Sequence, residues 1–250
     1  MSHELRTPLN AIIGYAELLS EECEDLGTTD FLPELGKIQS AGKHLLTLIG
    51  GILDLAKVES GRMTMFLETF GVQSLVDEVE SIVRPMVEKN RNTFVIDCPI
   101  DIGIMYADVV KTKQVMFNLL SNAAKFTEHG TVSLRVQRSS QSAMQPTTKP
   151  GITHPPSNTD TDTITFAITD SGIGLTDEQM GHLFEAFSQA DVLTTRKYGG
   201  TGLGLALSRS FCLMMSGDIT VTSIPGQGST FTVTLPTTVT DQTDLQESSV

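Results

Sequence analysis

Leu5, Ile12, Ala16 and Leu19 recur on one face of a helical wheel, with Leu9 and Ile13 beside them. That spacing predicts an amphipathic helix over residues 4–22. Glu24 to Asp30, with Gly27, reads as a turn. Leu35, Ile38, Gly42, Leu45, Ile49, Ile52 and Ala56 then alternate spacings of three and four, a heptad seam. Two such helices joined by a short turn form an antiparallel hairpin. One hairpin cannot bury both of its apolar sides. Pairing with a second copy into a four-helix bundle solves this, so a homodimer through the hairpin is expected. The other solution is a hairpin packed on a second domain of the same chain.

Beyond Ser60-Gly61 the pattern changes. Strands are predicted over 63–70, 93–98, 130–138 and 164–170, with a terminal hairpin of 219–224 and 229–235. Helices are predicted over 72–90, 108–127 and 203–216, with short helices in 176–187. The mixture lacks strict βαβ alternation, so an α+β sandwich fits better than a doubly wound parallel sheet. The fold class is therefore two domains: an all-α hairpin over 1–60, then an α+β sandwich over 61–236. Residues 139–163 are rich in Ser, Thr and Pro and read as a flexible insertion between two paired strands. Residues 237–250 read as a disordered tail.

Composition narrows the classes. The 250 residues are 39% hydrophobic, enough for a core, and the net charge is −13. So acidic a chain disfavours nucleic acid as partner. An acidic protein that binds ATP must concentrate positive charge and Mg²⁺ locally. Cys23, Cys98 and Cys212 are odd in number and in no metal spacing. They read as buried thiols of a reducing, cytoplasmic compartment. No run of 18 apolar residues occurs, so no direct membrane contact is expected in this segment. The chain starts two residues before His3, as an excised core of a longer protein would, which leaves membrane anchoring of a parent protein open.

Four clusters carry chemistry. The first is Ser2-His3-Glu4-Leu5-Arg6-Thr7-Pro8-Leu9. Imidazole is a phosphorus nucleophile when one nitrogen is free and the tautomer is fixed. Glu4 could take the other ring proton or orient the ring, and Thr7, one turn on, could position a water. Pro8 clashes with the carbonyl of Glu4, so a bend beside the histidine is expected. A zinc-protease reading needs a second histidine at position 7, which is threonine. The second cluster is Gln114–Phe126. Asn118 and Asn122 share one helix face, and neutral carboxamide oxygens suit Mg²⁺ already neutralised by a triphosphate. Lys125 could reach a phosphate.

The third is Asp170-Ser171-Gly172-Ile173-Gly174-Leu175, directly after a strand. A carboxylate there can accept from an adenine amino group, and Gly172 and Gly174 let backbone approach the ring. The fourth is Gly199-Gly200-Thr201-Gly202-Leu203-Gly204-Leu205, which runs into a helix. Gly200, Gly202 and Gly204 expose backbone N–H groups at a helix start, an anion cradle. The polar stretch before it, with Arg196 and Lys197, suits a lid over phosphates. Neither a dinucleotide glycine fingerprint nor a Walker sequence is present.

Together these residues resemble a two-component sensor histidine kinase core over residues 1 to about 236. Ser2–Leu9 is similar to that family's phosphoacceptor box, and Gln114–Phe126 to its asparagine box. Asp170–Leu175 is similar to the first glycine box, Leu183–Phe187 to the phenylalanine box, and Gly199–Leu205 to the second glycine box. The stretch Phe187–Asp191 with Arg196-Lys197-Tyr198 is most like hybrid kinases. The resemblance implies autophosphorylation of His3 from ATP with Glu4 as base, and Asn122 as Mg²⁺ ligand supported by Asn118. It implies Asp170 on adenine and transfer to an aspartate of a response regulator receiver domain. Thr7 matches the position used to dephosphorylate that partner. Three departures stand out: the first helix begins just before His3, the 139–163 loop is long, and the last glycine box, Gly226–Phe231, is only partial. The alternatives are another ATPase of the same nucleotide fold, a non-catalytic ATP-binding scaffold, and a module acting mainly as a phosphatase.

Overall fold

The structure, a computed structural model, describes residues 2–139, 162–188 and 201–240. Its first part is a hairpin of α1 (Ser2–Asp25) and α2 (Leu32–Glu59), linked by a 3-10 turn at Thr29–Phe31. Gly27 takes φ +70. Thr28 N–H then reaches Cys23 O at 2.9 Å and Gly27 N–H reaches Glu24 O at 3.1 Å. This is a Schellman motif, which satisfies the last carbonyls of α1. Pro33 stands in the first turn of α2, where its missing N–H costs nothing. α1 runs through Pro8 as one helix.

The seam between the helices buries Leu9 and Ile13 against Gly42, and Ala16 is buried beside Gln39. Gln39 Nε2 donates to Ala16 O at 3.2 Å and Ser20 Oγ at 3.0 Å, and Lys43 pairs with Glu17 at 3.0 Å. A second stripe stays outside. Leu5, Ile12 and Leu19 of α1 and Ile38, Leu45 and Ile52 of α2 are all at least 45% exposed. So one apolar side of the hairpin is satisfied within the chain and the other is not.

A Cβ on Gly42 would sit 2.6 Å from Ile13 Cγ1, whereas one on Gly36 would meet nothing within 4 Å. Alanine gains about 1 kcal/mol of helix propensity over glycine, while overpacking costs about 1–3 kcal/mol. Gly36→Ala should therefore stabilise the hairpin and Gly42→Ala destabilise it, which thermal unfolding of the two variants checks.

The rest is a two-layer α+β sandwich. β2 (Thr93–Asp97), β4 (Thr131–Ser139), β5 (Thr163–Asp170), β7 (Gly228–Pro236) and β6 (Asp218–Ile224) form one five-stranded sheet in that order. Only β2 and β4 pair in parallel. β1 (Glu68–Gly71) and β3 (Ile104–Ala107) make a separate antiparallel pair. Period-two alternation puts Val132, Leu134 and Val136 of β4, Ile164, Phe166 and Ile168 of β5, and Phe231, Val233 and Leu235 of β7 in the core. On that face lie α3 (Val72–Lys89), α4 (Val109–Phe126) and α6 (Gly204–Met214), with a short α5 (Asp177–His182) before the last. α3 contributes Val72, Leu75, Val76, Val79, Val83 and Val87, a stripe with helical spacing.

Three findings differ from the sequence reading. β3 is a strand that the pattern did not predict. The 63–70 strand is one only from Glu68. The chain also stays paired past Pro236: Tyr106 N–H donates to Thr237 O at 2.7 Å, Val239 N–H donates to Tyr106 O at 2.8 Å, and Val239 is buried. The proposed insertion and tail otherwise fall at 140–161 and 241–250, outside the described residues.

α2 also touches the sandwich. Leu48, Leu55 and Val58 pack against its core, and Gly51 leaves room for Leu203 and Leu207 at the start of α6. α2 then closes in a second Schellman motif. Arg62 N–H reaches Lys57 O at 2.9 Å and Gly61 N–H reaches Val58 O at 3.0 Å, with Gly61 at φ +65.

Candidate active site

α4 organises the site. Asp108 caps it by accepting from Lys111 N–H at 2.9 Å. The apolar stripe Val115, Met116, Leu119, Leu120, Ala123 and Ala124 goes to the core. The flank left over carries Asn118 and Asn122. Asn118 Nδ2 donates to Ser208 Oγ at 2.9 Å across to α6. A Cβ on Gly204 would lie 2.4 Å from Asn118 Oδ1, so any larger residue there would push the Asn118 amide aside. Asn122 is half-buried, and among the described residues its amide has no hydrogen bond. Lys125 is half-buried over the Phe126 ring, its ammonium 4.7 Å from the centroid, and burial pulls its pKa below the ordinary lysine value.

The far end of α4 is held by amides from α3 and its following turn. Asn92, buried, donates to Thr127 O at 2.7 Å and accepts from Gly130 N–H at 2.9 Å; Asn90 Nδ2 donates to Ala124 O at 2.8 Å. This fixes the Phe126-Thr127 backbone against the end of β5. There Asp170 is 7% exposed. Burial pushes its carboxyl above the usual range, opposed by backbone hydrogen bonds from Gly172 and Ser229 and by the Thr127 hydroxyl. The Gly172 N–H donates to Asp170 Oδ1 at 2.9 Å. Thr127 Oγ1 itself is buried and makes no bond of ordinary geometry, so it is a weak contributor to that balance. A Cβ on Gly172 would meet Phe126 O at 2.3 Å. Gly174 takes φ +65, and a Cβ there would meet Ile224 O at 2.1 Å.

Gly202 takes φ +69 and its carbonyl accepts from Phe187 N–H at 3.0 Å. The Leu183–Phe187 stretch is thereby tied to the glycine-rich turn that opens α6. Asn118, Asn122, Asp170, Gly172, Gly174, Gly202 and Gly204 are thus placed around α4 and its two neighbours. Glu4 and Thr7 are exposed in the first turns of α1, in the other part of the chain. The side chain of His3, and Lys197 and Gly200 altogether, lie outside the described residues. Ser208, Asn92 and Thr127 were missed by the sequence reading. Ser208 had a signal, since it stands one helical turn after Gly204, but Asn92 reaches α4 only through tertiary packing.

Residues 107–239 match the Histidine kinase-, DNA gyrase B-, and HSP90-like ATPase family, and residues 1–61 match the His Kinase A (phospho-acceptor) domain. The chain belongs to the histidine kinase family.

As a two-component histidine kinase core it is 35% identical over 237 residues to the autoinducer 2 sensor kinase/phosphatase LuxQ of Vibrio parahaemolyticus. That match covers 94% of this chain and 26% of LuxQ. It is 38% identical over 237 residues to hybrid signal transduction histidine kinase B of Dictyostelium discoideum, covering 94% of this chain and 11% of that protein. Among solved structures, full-length ShkA in complex with AMPPNP superposes with a TM-score of 0.71 at 26% identity, over 96% of this chain and 45% of that one. The Acinetobacter baumannii histidine kinase AdeS shares the fold at 0.61 and 20% identity, over 94% of this chain and 98% of its own. The kinase core carries its phospho-acceptor match on α1 and α2 and its ATPase match from Ala107 to Val239. Among its described residues no helix is long and apolar enough to cross a membrane.

Proposed function

We propose that this core is an ATP-dependent protein histidine kinase of two-component signalling, in which His3 is the phosphoacceptor. One ring nitrogen of His3 attacks the γ-phosphorus of ATP, Glu4 takes the proton from the other, and ADP leaves. An aspartate of a response regulator receiver domain then attacks the phosphoramidate and the P–N bond breaks. Catalysis is positioning and charge neutralisation. Asp170 accepts from the adenine amino group, Asn118 holds α4 to α6, and Lys125 and Lys197 face the phosphates.

Mg²⁺ fits the donor set. Among the described residues no cluster of three or more His, Cys, Asp or Glu could hold a metal ion on its own. A cation that arrives with its phosphates needs only a neutral oxygen, and the Asn122 amide offers one. Bound there, the ion would offset charge on the phosphates. The exposed stripe of the hairpin supports a homodimer, and Thr7, four residues after His3, aids dephosphorylation of the receiver domain. Of the three free thiols only Cys212 is buried as expected, while Cys23 and Cys98 are half-buried, and a core that uses ATP and keeps such thiols free belongs in the cytoplasm.

The observation that carries the reading is the joining, in one chain, of a phospho-acceptor hairpin to an ATPase site whose Asn122 amide has no partner among the described residues. γ-Labelled ATP with Mg²⁺ tests it. Wild type should acquire an acid-labile, base-stable label, and Asn122→Ala should lose it at least 100-fold, on the order expected for removing one charge-stabilising ligand. A wild type that never labels overturns the proposal.

Asp170 gives a second test. Its carboxyl pKa is raised in the folded chain. The neutral form is therefore favoured by folding, and that stability is lost as pH rises through the folded pKa, so the charge is destabilising at neutral pH. Asp170→Asn should keep or raise the melting temperature at pH 7. It should weaken a fluorescent adenine nucleotide by about 10- to 100-fold, because a charged acceptor is lost. Thermal unfolding and nucleotide titration read the two arms separately.

A further inference from the structure

We propose that Asp108 is a positioning residue, a latch that ties the linker after α2 to the helix bearing Asn118 and Asn122. Its carboxylate is 1% exposed and both oxygens are used. Oδ1 accepts from Lys111 N–H at 2.9 Å, inside α4, and Oδ2 accepts from Phe66 N–H at 3.0 Å, 42 residues away in the linker. An N-cap needs only the first bond. The second connects the chain leaving the hairpin to the same helix that forms the floor of the ATP site.

The linker around Phe66 is built for this. Met63, Met65 and Leu67 pack inward on the sandwich core while Phe66 points out, 77% exposed. This stretch belongs to no strand, and the N–H of Phe66 meets a carboxylate instead of a neighbouring chain. α2 is closed by the motif at Gly61-Arg62, so the span between the two fixed points is only Arg62 to Met65. A short tether keeps the two parts of the chain at a high effective concentration, which falls as the free span lengthens. Releasing the latch therefore slows delivery of the γ-phosphoryl group to His3 without touching ATP itself. The transfer arm of this inference rests on the function proposed above; the linker arm does not.

Two variants release the latch from opposite sides. Asp108→Asn keeps a carbonyl for the cap but turns an amide N–H₂ toward the Phe66 N–H. Phe66→Pro removes the donor and leaves Asp108 intact. Thr64→Pro, in the same linker, controls for proline itself. Each is compared with wild type by melting temperature, KM for ATP, labelling rate at saturating ATP, and the rate at which trypsin cuts after Arg62. Both latch variants should be cut about ten-fold faster and labelled about ten-fold slower, with KM within two-fold. Thr64→Pro should match wild type.

Unchanged cleavage and labelling in both variants overturn the latch. Loss of rate through a raised KM also overturns it, because Asp108 would then serve only the cap of α4. A wild type that does not label sinks the kinase reading, and the trypsin comparison still decides whether the linker is held.

Discussion

His3→Gln should carry no acid-labile label under conditions that label the wild type. Glutamine keeps the length and hydrogen-bonding capacity of histidine on α1 but has no ring nitrogen with a free lone pair for phosphorus. Losing a nucleophile outright costs far more than losing an orienting group, and a drop of at least about 10³-fold is expected. ATP affinity should stay within about two-fold, because the residues proposed to bind nucleotide stand on α4, at the end of β5 and at the start of α6. That separation is what makes the variant informative: it removes the acceptor and leaves the donor site whole. The chain has five histidines. His44 on α2 is exposed and His182 pairs with Glu185 at 3.0 Å, so each is a concrete rival. Label that survives in His3→Gln and disappears in His44→Gln would move the acceptor to α2. Label insensitive to both would remove the hairpin from the chemistry.

The hairpin was readable because its signals are local. Heptad spacing and a short turn containing Gly27 each act within a few residues. The seam reading also contained both interfaces at once. Leu9, Ile13 and Gly42 meet inside the chain, whereas Leu5, Ile12, Leu19, Ile38, Leu45 and Ile52 face out. A wheel shows that a wide apolar band exists, but which half is used internally depends on how the two helices pack.

In the sandwich, the strand reading of 63–70 holds only from Glu68 and fails before it in an instructive way. The period-two pattern is real, and Met63, Met65 and Leu67 are packed inward as it requires. What fails is pairing, because the Phe66 N–H is taken by Asp108, 42 residues on. Periodicity reports which side chains are buried and is blind to what the backbone bonds. β3 shows the opposite failure. Ile104 and Tyr106 are exposed while Met105 and Ala107 are buried, so outward hydrophobics hide the alternation. The strand is defined by its partners, β1 on one side and the 237–239 segment on the other. The site boxes were legible because glycine and asparagine at fixed offsets have few other uses. Of their supports, Ser208 follows Gly204 by one helical turn and was readable in principle, whereas Asn92 was not, since one side-chain amide on a distant turn leaves no pattern.

The partial glycine box at Gly226–Phe231 yields the largest stability effect in the sandwich, and at one glycine of two. Gly226 takes φ +76 and follows Pro225, with Gln227 N–H on Ile224 O at 3.0 Å, as position i+2 of a type II turn requires. A Cβ there would meet nothing within 4 Å, so Gly226→Ala costs only the backbone strain, about 1 kcal/mol. Gly228 takes φ +106, and its Cβ would lie 1.9 Å from Asp170 O and 2.8 Å from Ser171 Cα. No rotamer relieves an overlap with backbone. β7 would have to move off β5 at the pair Asp170–Ser229, where the ladder between them begins. Strain and lost pairing together should cost more than about 3 kcal/mol, a large share of the ~5–15 kcal/mol that stabilises a domain. The same displacement pulls the Ser229 backbone from the Asp170 carboxyl, so adenine nucleotide binding should fail before the fold does. Urea unfolding and nucleotide titration of Gly226→Ala and Gly228→Ala, side by side, separate the two causes. Equal losses in both variants would mean that positive φ alone sets the cost and that the close approach to Asp170 is tolerated.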